Sequence, residues 1–317
     1  MADKAPDIEV PRLDLQACSV EEHCLALIGL KRLPFLWHLG TSRLFGNYSL
    51  PFRDAEGQWW HQVKAGLCWP VDFFRPVDPH RVRLPRAKAF LGYQHIVADE
   101  AQANSRLVIN TIQDLAAYGT ESISHNRRKM VRKGLRKCTL EVLRAYDPAV
   151  VKACHAAWGD LRARTGWRHD VDEHTFHETW RMLLECPGTS VIIGREAATG
   201  EVAGFLVTRI LGDTAQGDTI ASRTDMMGTN INDAIIYAFF VNAGRIPGVT
   251  KVNYAIRSNV AKLEQFKTGM GLVPHPFPAV THLRPGVGPL LRLVFPDKYN
   301  RMMGRFDDVP AATPEDE

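Results

Sequence analysis

The sequence predicts an α+β protein, a mixed and mostly antiparallel sheet flanked by helices, and three observations point there. Its 317 residues, 45% apolar and 23% charged, suffice to bury one large core or two ordinary ones. Between residues 139 and 285 the hydrophobic patterning reads β-α-α-β-β-β-α-β-α-β, antiparallel at first and closing on a β-α-β-α-β unit. No stretch approaches the roughly 18–20 uninterrupted apolar residues that a membrane-crossing helix requires.

Residues 1–17 read as a flexible arm, and 307–317, rich in Pro, Ala, Asp and Glu, as a flexible tail. Ser19 with Glu21 and Glu22 opens a helix running to about Lys31. From Phe35 to Pro85 aromatic residues are punctuated by Gly and Pro, the texture of short strands and loops. Ala87–Val97 and Arg106–Ile112 read as further strands. After Tyr118, Ser122 or Ser124 caps a basic helix, and Leu140–Leu143 alternates as a strand. Pro148 opens one helix, and a second runs from about Asp172 to Glu185, stopped by Pro187-Gly188. Ser190–Arg195 and Val202–Ile210 are strands joined at Thr199-Gly200-Glu201, a hairpin turn. Thr219–Arg223 is a strand, Asn230–Arg245 a helix, Lys251–Arg257 a strand, and Val260 to about Met270 a helix stopped by Gly271. The change of texture divides the chain into domains at 18–118 and 119–306.

Charge is informative by location. The formal net charge is +4, yet residues 127–137 alone hold seven cations, and removing them leaves the remainder at −3. Arg128, Arg132 and Arg136 recur every fourth residue, with Lys129, Lys133 and Lys137 on the neighbouring ridge, while Met130, Val131 and Leu135 turn inward. Cations sharing one face repel each other unless an anion screens them, so this face is a candidate contact for phosphates, of tRNA among others. A solvated helix face is the plainer alternative. Six cysteines without a Cys-x-x-Cys pair suit reduced thiols, and the N-terminus has no secretory pattern, so a cytoplasmic protein with no membrane partner is expected. His174 and His177, with Asp170 and Asp172 nearby, lack a further ligand close in sequence, so no metal is expected.

Three passages together resemble the Gcn5-related N-acetyltransferase (GNAT) superfamily, and within it the FemAB-like aminoacyltransferases built from two such folds. The first is Val108 to Leu115 followed by Asn126 to Lys133. The second is Ile235 to Ala238 leading through Ala243-Gly244-Arg245 to Val252-Asn253-Tyr254. The third is Leu263-Glu264-Gln265-Phe266-Lys267 with Gly269, Gly271 and Leu272. The resemblance covers roughly residues 105–285 and implies a GNAT fold, with 18–118 as a degenerate first copy. It further implies transfer of an acyl group from acyl-CoA, or from aminoacyl-tRNA, to a primary amine on a small molecule or peptide, with the donor as co-substrate and no permanently bound cofactor. Acyl-CoA enzymes of the superfamily carry Arg/Gln-x-x-Gly-x-Gly/Ala at their pyrophosphate loop. Here that place reads Asp225-Met226-Met227-Gly228-Thr229-Asn230, with one glycine kept and an acid in the lead position. A catalytically inactive relative that binds RNA or a protein partner is a third reading.

Acyl transfer to an amine requires an anchored donor, a stabilised oxyanion and a proton for the leaving group. Gly228, Thr229 and Asn230 stand at a helix start, where unpaired amides suit an anion. Lys267, which the resemblance pairs with Phe266 at the donor, is the candidate to oppose charge developing on the carbonyl oxygen. Tyr254 is a candidate proton donor, and Arg257 a candidate for a substrate carboxylate or phosphate. The plainer alternatives are a core aromatic for Tyr254 and an ion pair with Glu264 for Arg257.

Overall fold

A computed structural model of the chain describes residues 8–30, 50–64, 66–166 and 171–306. The end of the first expected helix at Lys31, the start of the aromatic region, Asp170 and the 307–317 tail lie outside the described residues. The chain begins with α1 (Val20–Leu30), then β1 (Phe52–Arg53), β2 (Trp59–Lys64), β3 (Leu67–Pro70), β4 (Gly92–Ile96) and β5 (Ser105–Thr111). There follow α2 (His125–Lys137), β6 (Cys138–Val142), α3 (Pro148–Thr165), α4 (Glu173–Glu185), β7 (Thr189–Glu196), β8 (Val202–Leu211) and β9 (Thr214–Ser222). The rest is α5 (Ile231–Gly244), β10 (Lys251–Asn253), α6 (Ala261–Gly269), β11 (Val273–Leu283), α7 (Val287–Val294) and α8 (Pro296–Met302).

Two sheets result, ordered β1-β2-β3-β4-β11-β5 and β10-β9-β8-β7-β6. The second is the larger core. Every residue of β8 is buried, because helices cover both faces of its sheet. Ile192, Leu206 and Ile210 pack with the apolar side of α5. Val191, Ile193, Phe205 and Val207 pack with Trp158 and Trp180 of α3 and α4. Sequence order and sheet order part company at β11, which follows the second lobe in sequence but pairs with β4 and β5 of the first. The expected division between residues 118 and 119 therefore does not separate the two sheets.

The arm expected to be flexible over 1–17 is docked over its described part. Leu13 and Leu15 are buried in the second lobe's core, and the Leu13 amide donates to Asn242 Oδ1 at 2.9 Å. Two apolar side chains in a polar segment were enough to find a partner that periodicity does not reveal. Helix α1 docks beside them, with His23 buried and its Nδ1 donating to the Pro187 carbonyl at 2.8 Å. All six cysteines are free. Helix α2 starts at Ser124, whose hydroxyl accepts from the Arg127 amide. It crosses α5 closely because Gly134 faces the Asn230 carbonyl, where a Cβ would come within 2.6 Å.

Candidate active site

Strands β9 and β10 run parallel and pair over only three positions, Lys251 with Thr214, Val252 with Ala215 and Asn253 with Gln216. Beyond Asn253 the chain abandons β9 and joins β5. The Tyr254 amide donates to the Asn110 carbonyl at 3.1 Å, the Asn110 amide to the Ala255 carbonyl at 3.1 Å, and the Arg257 amide to the Val108 carbonyl at 2.8 Å. Two residues, Tyr254 and Ala255, thus oppose one, which is a β-bulge. Ala255 takes the left-handed φ of 68° that such a bulge demands. The segment expected as one strand over 251–257 is shared between two sheets, and it opens a V between itself and residues 217–222 of β9.

Tyr254 sits at the point of the V. Its ring lies over Gly217, where a Cβ would meet Tyr254 Cε2 at 2.7 Å, so only a glycine leaves room there. The residue is buried in the core cluster. Burial, reinforced by Asp233, pushes its phenol well above the ordinary range, so it stays protonated at neutral pH. This places Tyr254 as the floor of the V.

Lys267 is not a surface residue. It is 3% exposed, and its Nζ donates to Glu264 Oε1 at 2.9 Å and to the Ile256 carbonyl at 3.4 Å. Ile256 forms a bridge with Ile109 in which the flanking residues make the hydrogen bonds. Its own carbonyl therefore points away from β5, toward the side that β9 vacates. Turned to suit its neighbours, the Asn110 carboxamide accepts from Lys267 Nζ at 3.0 Å and donates to Glu264 Oε2 at 3.2 Å. Glu264 also accepts from the Ser258 amide at 2.8 Å. This network ties α6 to β5 and to the diverted strand. The Glu264 partner suggested for Arg257 is thus taken by Lys267, and the Arg257 guanidinium instead lies 5.0 Å from the Phe306 ring centre.

A second ion pair closes the same region. Arg127 Nη1 donates to Asp233 Oδ1 at 2.8 Å, both side chains being largely buried. The guanidinium lies 4.6 Å from the centre of the Phe266 ring, which fixes Phe266 as a packing partner. Burial raises the Asp233 carboxyl while the Arg127 guanidinium opposes that shift. In the sequence Arg127 is one of seven clustered cations, 106 residues from Asp233. The available signal was that Asp233 is an acid in the first turn of an otherwise apolar helix, which needs a cation to be buried.

The loop before α5 offers an anion less than expected. The Thr229 hydroxyl turns inward and donates to the Met226 carbonyl at 2.7 Å. Asn230 precedes the helix in a left-handed conformation, with no side-chain capping bond. Gly228 is exposed, and a Cβ there would meet nothing within 4 Å, so no close approach demands a glycine. Charges of both signs stand at the loop: Asp225 pairs with Arg223, Arg223 with Glu201 at 2.7 Å, and Arg164 Nη1 donates to Thr224 Oγ1 at 2.6 Å. On α2, Arg128 pairs with Glu121 at 3.1 Å. Lys129 and Arg136 are exposed and Arg132 and Lys133 half-buried. Met130, expected inward, is exposed. Among the described residues no group of three or more His, Cys, Asp or Glu side chains could hold a metal ion.

No family model matches the chain, and no curated protein matches it in sequence. Solved structures do match in fold. L-PGS from Bacillus licheniformis aligns over 92% of this chain and 98% of its own, with a TM-score of 0.53 at 14% identity. The C-terminal domain of a protein described as a lysylphosphatidylglycerol synthetase from Agrobacterium fabrum aligns over 81% and 90%, with a TM-score of 0.50 at 12% identity. FemX aligns over 59% of this chain and 63% of its own, with a TM-score of 0.45 at 13% identity. The chain shares the fold of L-PGS and of that C-terminal domain over most of each length.

Proposed function

We propose that this tandem GNAT fold is a transferase that carries an acyl or aminoacyl group from an activated donor to a primary amine. The supporting observation is the V between residues 217–222 and 254–257, with Lys267 hydrogen-bonded to the strand that forms one wall. The acceptor nitrogen attacks the donor carbonyl directly, the carbon–nitrogen bond forms, and the bond to the leaving group breaks. The proton lost by nitrogen goes to the leaving group. Within this reading Lys267 exchanges one of its three present acceptors, Glu264, the Ile256 carbonyl or the Asn110 carboxamide, for the donor's carbonyl oxygen and opposes the negative charge that develops there. Tyr254, protonated at neutral pH, supports the apex of the site.

Of the two donors, the distribution of charge favours aminoacyl-tRNA. At the loop where a CoA pyrophosphate would lie the Arg223 guanidinium is already taken by Asp225 and Glu201, whereas α2 presents Lys129, Lys133 and Arg136 without a carboxylate within 4 Å among the described residues. Acyl-CoA is the second reading, supported by the backbone amides at the start of α5. Binding of charged tRNA is expected to weaken steeply as salt rises, and to fall at least tenfold in a Lys129→Glu, Lys133→Glu variant. Acetyl-CoA or longer acyl-CoAs raising the melting temperature, with charged tRNA inert, would reverse the order of the two donors. Absence of turnover with either donor, while RNA still binds, would end the transferase reading.

A further inference from the structure

The first lobe's sheet ends in an exposed apolar surface. Helix α7 exposes Leu290, Leu293 and Val294, spaced i, i+3 and i+4, and Phe295 follows them. Leu293 is 82% exposed and Leu290 59%. A second apolar residue cluster is not needed to make the patch continuous with the neighbouring loop, because Arg284 clamps the two together. Its amide donates to the Leu91 carbonyl at 3.0 Å and its Nε to the Ala89 carbonyl at 3.3 Å. Between those carbonyls stands Phe90, itself 42% exposed.

The charge of this end is one-sided. Residues 81–91 hold four cations and no acid, and residues 284–298 hold three cations and one acid. Of the seven, Arg81 pairs with Glu56. Lys298 lies 4.7 Å from the centre of the Phe295 ring, so a cation and an exposed aromatic share one spot. Exposed Arg83, Arg86 and Arg292 add to the field. Isolated surface leucines need no explanation, but a ridge of them set among unbalanced cations does.

We propose that this end of the first lobe docks onto the surface of an anionic phospholipid bilayer, with α7 lying in the interface and the cations of both segments meeting lipid phosphates. Apolar burial and attraction to anionic headgroups act together in such binding. No helix among the described residues is long and apolar enough to cross a membrane, so the contact is peripheral. It is also remote from the V. Strand β11 pairs through Val273 with Thr111 near the diverted strand and through Leu283 with Gly92 at the patch, a run of ten residues or roughly 34 Å of extended chain. The inference stands independently of the transferase reading, because it is read without turnover.

The test is co-sedimentation of the full chain with vesicles of phosphatidylcholine alone, or of phosphatidylcholine with a quarter phosphatidylglycerol. The chain is expected to bind the anionic vesicles, to leave the neutral ones, and to dissociate as salt rises. Leu293→Asp, at a position too exposed to matter for folding, is expected to weaken binding at least tenfold with an unchanged melting temperature. Arg86→Glu and Lys298→Glu are each expected to weaken it about fivefold or more. Failure to bind anionic vesicles, or equal binding to both kinds, overturns the proposal. So does undiminished binding by Leu293→Asp, which would mark a purely electrostatic contact. A dimer that Leu293→Asp turns into a monomer, with vesicles left unbound, assigns the patch to a second copy of the chain and likewise overturns it.

Discussion

Removing the carboxylate of Glu264 is the most informative single change in the second lobe. Lys267 is 3% exposed, and among the described residues Glu264 is the carboxylate that pairs with it, at 2.9 Å. In Glu264→Ala the ammonium keeps the Ile256 carbonyl and the Asn110 oxygen but loses the opposing charge. Breaking a buried pair in this way costs about 3–5 kcal/mol. At about 2–4 °C per kcal/mol for a chain of this size class, the melting temperature should fall by roughly 6–20 °C. Lys267→Met should cost less, because Glu264 retains the Ser258 amide and the Asn110 carboxamide. The double variant Glu264→Ala, Lys267→Met removes both charges, so its loss should fall short of the sum of the single losses by about 0.5–3 kcal/mol. The assay is thermal and urea unfolding of all three, with turnover read well below each melting temperature. A shift of under about 2 °C for Glu264→Ala would refute the idea that this pair is desolvated. Normal turnover by folded Lys267→Met would refute a role for the ammonium at the carbonyl. Because its ammonium is buried, removing Lys267 touches stability as well as turnover.

Two further outcomes follow from buried groups. His23 is held at about 4 instead of 6.5, first by burial and then by the nearby Arg209 guanidinium. The unfolded chain therefore binds the extra proton between those values. Stability should be complete above pH 6.5 and fall by up to about 3 kcal/mol as pH drops toward 4. His23→Gln should flatten that slope in unfolding measured from pH 7.5 to 5, and an unchanged slope would remove His23 as its source. Gly217→Ala places a methyl 2.7 Å from Tyr254 Cε2, so the ring or the strand must shift. We expect a stability loss of about 1–3 kcal/mol with a larger proportional loss of turnover, measured on the folded fraction. An alanine there with wild-type activity would show that the apex tolerates movement.

The elements most legible in the sequence are those fixed by neighbours in the chain. The Thr199-Gly200-Glu201 turn does separate β7 from β8, α3 does start at Pro148, and α5 spans Ile231–Gly244 against an expected Asn230–Arg245. What escaped depends on distant partners. Nothing in Lys251–Arg257 announces that its first half belongs to β9 and its second to β5, since the switch rests on Ala255 adopting φ 68° beside Asn110. The return of β11 to the first lobe is equally non-local. Helices α7 and α8 were missed because Pro285, Gly286 and Gly288 read as a turn, while the amphipathic run beyond them is short. At the site, the resemblance pointed to Phe266 and Lys267. Glu264 stands three residues before Lys267 on one helix, a spacing at which a pair is legible. Arg127 on Phe266 and Asn110 on Lys267 emerge only when α2, β5 and α6 are brought together.

In the proposed reaction the donor carbonyl sits in the V between β9 and the diverted strand. A crystal structure of the chain with a non-hydrolysable 3′-aminoacyl adenosine, or with an acyl-CoA analogue, tests this directly. The carbonyl is expected between residues 217–222 and Ile256, with the strands still apart and Lys267 Nζ turned from one of its present partners to within hydrogen-bond reach of its oxygen. A donor bound elsewhere, or the two strands paired along their full length with Lys267 still closed on Glu264, would contradict it.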